Sequence, residues 1–222
     1  MKISIRRLKA CLSRGIYYAE SKPPIIALSK ERKPPGQSQN LSCINKMEEY
    51  FDVINEEDIV IGRESRSTVH RLGLWHRGAH VLLFTDNGKL LMQQRSKNKS
   101  QSPLTFDCSV SEHVQAGEAY HAAALRGLSE ELGVDGIEIH PLIKFKMNYG
   151  PNDNEISIIY KGIVDSKQIR FDPEEIERVD TYSIEELQIL LEQNPGMFSY
   201  WFEQIFLWFT QKPSTLQIMK GE

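Results

Sequence analysis

The sequence predicts an α+β protein in which short strands outnumber helices. Three observations carry this. Asn87-Gly88 sits between two apolar runs, the strongest short hairpin signal. Residues 119–132 have a helical pattern and stop at Gly133, the expected residue past a helix end. Three more strand-like runs then lead into two helical stretches near the C-terminus.

Residues 1–46 read as an extension with little periodicity, broken by Pro23-Pro24 and Pro34-Pro35-Gly36. Residues 50–54 and 59–61 flank Asn55-Glu56-Glu57-Asp58 and read as a hairpin. Residues 79–85 and 89–94 form the Asn-Gly hairpin, and 106–110 a further strand. After the 119–132 helix, residues 138–146, 156–164 and 176–181 read as strands. Ser183-Ile184-Glu185-Glu186 opens a helix to about residue 192. Residues 199–210 form a last helix with Trp201, Ile205, Trp208 and Phe209 at helical spacing, read as core or as a homodimer face. The expected organisation is an extension over 1–46, one domain over 47–215 and a tail over 216–222, with Met47 an alternative start.

Composition narrows the function class. The net charge of −3 gives no sign of a nucleic-acid partner, and no apolar run approaches the roughly 20 residues of a membrane span. Cys11, Cys43 and Cys108 are odd in number and scattered, which favours a reducing, cytoplasmic setting over a disulfide framework. Residues 1–36 carry nine basic and two acidic side chains, leaving −10 on the remainder. That basic start also suits an organelle transit peptide, the alternative localisation.

The chemistry concentrates between residues 109 and 134. Gly117-Glu118 turns into a helix that carries Arg126 and then Glu130-Glu131, with Gly133 as its stop. Residues three and four apart share a helix face, so 127, 130 and 131 point one way and Arg126 reaches Glu130. Adjacent carboxylates near Glu118 suit a hard divalent cation that also holds a diphosphate. The bland alternative is a solvated Glu-Glu pair near a helix end.

This segment resembles the Nudix box: Gly, five residues, Glu, seven residues, Arg-Glu, an aliphatic, any residue, Glu-Glu, any residue, Gly, an aliphatic. Two positions depart: Glu112 stands where the first Gly belongs, and Gly127 where the Glu after Arg belongs. The resemblance extends over residues 50–210. It implies a mixed central sheet between helices, and a pyrophosphohydrolase using Mg²⁺ or Mn²⁺ on a small nucleoside or isoprenoid-like diphosphate. It makes Glu130 and Glu131 the catalytic metal ligands, supported by Glu118. If the carboxylate missing at 127 were the sole general base, its loss would cost about 10²–10⁴ in rate; Gly127→Glu is then expected to restore the cluster.

A second run, 68–80, with 91–99 and Phe198-Ser199-Tyr200-Trp201-Phe202, resembles the Nudix branch that contains isopentenyl diphosphate isomerase. That resemblance implies a second metal site of His70, His76, His113, Asp153 and Glu155, and diphosphate contacts from Arg95 and Lys99. Imidazole with carboxylate suits zinc, manganese or iron better than magnesium. Against isomerase activity, Ser111 stands where that branch needs a cysteine acid. The remaining alternative is a diphosphate-binding domain whose catalysis has lapsed.

Overall fold

The computed structural model describes residues 48–220; the expectations for residues 1–46 and the Met47 start lie outside them. Strand β1 (Tyr50–Ile54) and β2 (Val60–Ser65) form a two-stranded antiparallel hairpin. Helix α1 (Arg66–Leu72) follows, capped by the Ser65 side chain at its start and by left-handed Gly73 at its end. Periodicity does not predict α1, since seven residues make too few turns to establish a period; it forms because both ends are capped and Val69 is buried.

The main sheet comprises β3 (His76–Phe84), β4 (Leu90–Arg95), β5 (Phe106–Asp107), β6 (Val110–His113), β7 (Ile139–Asn148), β8 (Asn154–Ile163), β9 (Ile176–Tyr182) and β10 (Gln217–Ile218). β3 and β8 run parallel over nine residue pairs, from His76↔Glu155 to Phe84↔Ile163; the other pairings are antiparallel, so the sheet is mixed. The single strand expected at 106–110 is divided into β5, which pairs with β4, and β6, which pairs with β3. β10, within the stretch read as a tail, adds to the edge of β7, and Met219 N donates to Lys144 O.

Helices cover both faces. Helix α2 (Tyr120–Leu132) buries Ala123, Ala124, Leu128 and Leu132 against Ala79, Val81, Val110 and Tyr160. On the other face, α3 (Ile184–Gln193) and α4 (Tyr200–Phe209) bury Leu187, Trp201, Phe202, Ile205 and Phe206 against Leu82, Met92, Phe106 and Phe145. The stripe on α4 is therefore core, with Trp208 and Phe209 partly buried against the same cluster.

Two buried contacts hold the β1–β2 hairpin to the sheet. Asp58 accepts from Arg77 Nε at 2.6 Å and pairs with Lys144, while Tyr120 Oη donates to it at 3.1 Å. Phe51, 1% exposed, stacks on His113 and His76 with ring centroids 4.9 and 5.6 Å away.

Candidate functional site

Strand alternation puts the site on one sheet face. Side chains two apart share a face, so β3 presents His76, Gly78 and His80, β6 presents Ser111 and His113, and β8 presents Glu155 and Ser157. Register makes neighbours of Gly78 with His113, His80 with Ser111, and His76 with Glu155. His70 comes from α1 and Asp153 from the turn before β8. The five residues that the resemblance implies as a metal site therefore meet. Asp153 Oδ1 lies 3.4 Å from His70 Nδ1 and 4.0 Å from His76 Nε2; Glu155 Oε1 lies 3.5 Å from His76 Nε2 and 3.4 Å from His113 Nε2.

The donor set fits a cation. His76 Nδ1 donates to Leu74 O at 3.1 Å, which leaves Nε2 facing two carboxylates. His70 Nδ1, His76 Nε2 and Asp153 Oδ1 are buried with no hydrogen-bond partner. Buried polar atoms are otherwise partnered as a rule, so these three orphans mark a place for an ion; ligand atoms of His70, His76 and His113 lie within 4.8 Å of one another, as do those of His76, Asp153 and Glu155. Burial alone would lower the His76 pKa, but the Glu155 carboxylate beside it raises it; burial prevails at His113, lowered to about 4. Burial would raise Glu155, yet His113 and His76 hold it well below the usual carboxylate range.

Gly78 makes this possible. A Cβ there would collide with Glu155 Oε2 and sit 2.7 Å from Ser157 Oγ. With hydrogen in that place, Glu155 lies across β3, takes a 3.0 Å hydrogen bond from Ser157 Oγ on Oε2, and aims Oε1 at the imidazoles.

The second cluster differs from the expectation. Gly127 does not face open space: a Cβ there would lie 2.7 Å from Val110 Cγ1 and 3.2 Å from Glu112 Cβ. α2 rests on β6 at this point, so the Gly127→Glu expectation is corrected: a glutamate has no room. Val110 and the Cβ and Cγ of Glu112 fill the space over Gly127, so the two departures from the box sit side by side, glycine on the helix and glutamate on the strand. Glu112 lines the same cavity of about 710 Å³ as Glu130 and Glu131.

The placement of the other residues follows. Both Glu118 oxygens are engaged: Oε1 by Arg126 Nε, Oε2 by Arg126 Nη2 and Gln115 N, at 2.9–3.0 Å. Arg126 also lies 3.4 Å from Glu112 and 3.3 Å from Glu130 and donates to His113 O, clamping α2 to the end of β6. Glu130 is exposed, with 61% of its side chain accessible, whereas Glu131 is buried and accepts from Gln93 Nε2 at 2.9 Å. Burial, with Glu112 nearby, pushes Glu131 up to about 8; burial pushes Glu112 to about 6 although Arg126 opposes it. Lys99 lines the cavity and pairs with Glu175. Arg95 lines it too, but it donates to Asp107 at 2.8 Å and lies over the Trp201 ring at 5.0 Å, as a wall.

Sequence reasoning missed Glu112 as a participant, along with Gln93, His80, Tyr149 and Asp107. The pairing of Glu112 with Gly127, each in the other's box position, was the available signal for the first. His80 was readable only as two residues beyond Gly78 on the His76 face.

Comparison with known proteins agrees with this architecture. A family model described as the NUDIX domain matches residues 74–202. An isopentenyl-diphosphate Delta-isomerase of Serratia proteamaculans is 33% identical over 160 residues, covering 70% of this chain and 88% of that protein. An uncharacterised Nudix hydrolase of Clostridium acetobutylicum is 38% identical over 122 residues, covering 51% of this chain and 58% of that protein. A crystal structure from Deinococcus radiodurans superposes with TM-score 0.57 at 28% identity, covering 66% of this chain and 90% of the other.

Proposed function

Because the chain belongs to the Nudix family, we propose that it is a divalent-metal-dependent pyrophosphohydrolase acting on a small nucleoside or isoprenoid-like diphosphate. The observation that supports this best is the exchange of Glu112 and Gly127, which returns to the cavity the carboxylate that the box lacks. The reading assigns Glu112, Glu130 and Glu131 as the oxygen set for Mg²⁺ or Mn²⁺, with Glu118 entering as the anchor of Arg126. His70, His76, His113, Asp153 and Glu155 form a second set whose imidazoles favour manganese, zinc or iron. Bound cations would supply charge neutralisation for the diphosphate. With a cation bound, Glu131 in its ionised form would take the proton from the attacking water. Lys99, released from Glu175, and Arg66 at the cavity wall meet phosphate oxygens.

The test is phosphate release from a panel of diphosphates, with each divalent cation, by the full chain and by Glu112→Gln. Loss of about 10²-fold or more in the variant is expected; undiminished turnover would remove Glu112 from the site. A second reading, an isomerase-like enzyme, draws on the His and carboxylate cluster and the Serratia relative; turnover of isopentenyl diphosphate would support it, although Ser111 offers no thiol acid. Tight diphosphate binding with no turnover under any cation would instead support a lapsed enzyme.

A further inference from the structure

The floor of the cavity holds a line of polar groups that ends at Glu155 of the second metal set and whose other members belong to neither set. Asp107 is completely buried. Its Oδ1 accepts from Cys108 N at 2.7 Å, Ser111 Oγ at 3.1 Å, Ser199 Oγ at 3.1 Å and Trp201 Nε1 at 2.6 Å, and its Oδ2 from Arg95. Ser111 Oγ lies 3.1 Å from His80 Nδ1, and His80 Nε2 lies 3.1 Å from Tyr149 Oη. Tyr149 Oη approaches Ser157 Oγ at 3.4 Å, and Ser157 donates to Glu155. The line therefore runs from one carboxylate to another through five contacts.

Counting hydrogens fixes its direction. A carboxylate facing Arg95 accepts and does not donate, so the Ser111 hydroxyl hydrogen is committed to Asp107. Ser111 can then only accept from His80, which must carry its hydrogen on Nδ1. His80 is buried, and burial lowers its pKa and keeps it neutral, so Nε2 is bare and takes the Tyr149 hydroxyl hydrogen. At the other end the Ser157 hydrogen is committed to Glu155. Four hydrogens serve five contacts, and the one left unfilled, Tyr149 to Ser157, is the longest at 3.4 Å. Ser111 keeps acceptor capacity beyond these contacts, with the Cys108 thiol also in hydrogen-bond reach of it, and it lines the cavity together with His80, Tyr149 and Trp201.

We propose that His80 is a positioning residue that, with Asp107, holds Ser111 as an obligate hydrogen-bond acceptor on the cavity floor, so that the site selects ligands whose organic group carries an O–H or N–H donor there over those that end in hydrocarbon. This rests on the reading that the cavity takes a diphosphate. A site built to hydrogen-bond a ligand hydroxyl discriminates against the analogue without it, because a buried polar atom is otherwise left unmatched.

Two measurements on the full chain test this. In ¹⁵N spectra of histidine-labelled protein, His80 should show Nδ1 protonated and Nε2 bare; the reverse tautomer overturns the proposal. Calorimetry with Mg²⁺ then compares 3-hydroxybutyl diphosphate with 3-methylbutyl diphosphate, which differ by a hydroxyl in place of a methyl. The hydroxyl compound should bind about 2- to 10-fold more tightly to the wild type. Ser111→Ala should abolish that preference. His80→Asn, whose amide takes the place of Nδ1, should keep it, and His80→Gln should lose it. Equal affinities in the wild type, or a preference that survives Ser111→Ala, overturn the proposal. If neither compound binds, the diphosphate reading has failed, and the His80 tautomer alone decides the hydrogen-bond assignment.

Discussion

Replacing Gly127 with alanine sets two effects of known sign against each other. On an isolated helix the change would stabilise by about 1 kcal/mol, since glycine is the poorest non-proline helix former. Here the new Cβ would meet Val110 Cγ1 at 2.7 Å and Glu112 Cβ at 3.2 Å. Val110 is fully buried in a strand, so relief requires the helix or β6 to move by several tenths of an ångström. Overpacking of this kind costs about 1–3 kcal/mol. The net expectation is a destabilisation of up to about 2 kcal/mol, from the same two figures. Val110→Ala alone costs about 1.5–3 kcal/mol in lost burial and cavity. In the double variant the collision disappears, and the two changes should couple favourably by about 1–2 kcal/mol. Urea unfolding of the four proteins, at constant m-value, measures this directly. If Gly127→Ala alone is stabilising by about 1 kcal/mol, or if the effects simply add, α2 does not rest on β6 as described, and the account of Glu112 replacing the missing carboxylate falls with it.

Two further expectations follow from the same geometry. Glu131, with its pKa raised from the ordinary 4.5 to about 8, binds its proton more tightly when folded, so its contribution is complete below pH 4.5 and is lost as pH rises toward 8. In chelator the wild type should lose up to about 3 kcal/mol by pH 7 from this group, less any relaxation; Glu131→Gln should flatten the profile and lose stabilisation by Mg²⁺, and identical pH slopes in the two proteins would count against the assignment. Gly78→Ala should push Glu155 off Ser157 and out of the histidine cluster, weakening Zn²⁺ binding by about 10- to 100-fold, the usual range for disturbing the groups around metal ligands; unchanged zinc affinity by calorimetry would show that Glu155 is not a ligand.

The parts legible in the sequence were those set by short-range periodicity. The Asn87-Gly88 hairpin, the capping box at Ser183 and the glycine stop at Gly133 each depend on residues within one turn of each other. The Arg126–Glu130 pair follows from i,i+4 spacing. The meeting of His70, His76, His113, Asp153 and Glu155 was readable only through the resemblance, since their separations span much of the domain.

Tertiary structure decided the rest. Glu112 and Gly127 are fifteen residues apart, and whether one fills the other's place depends on how closely α2 approaches β6. The resemblance put Glu118 beside the metal ligands in support; in the fold Arg126 engages both its oxygens. The resemblance makes Arg95 a diphosphate contact, and in the fold it is a partner of buried Asp107, because β4 and β5 pair beside it. The acceptor role of Ser111 requires three strands, the turn after β7 and the start of α4 to bring Asp107, His80, Tyr149 and Ser199 together. Local sequence sets which face a side chain occupies; only the packed sheet sets which hydrogen on that face has somewhere to go.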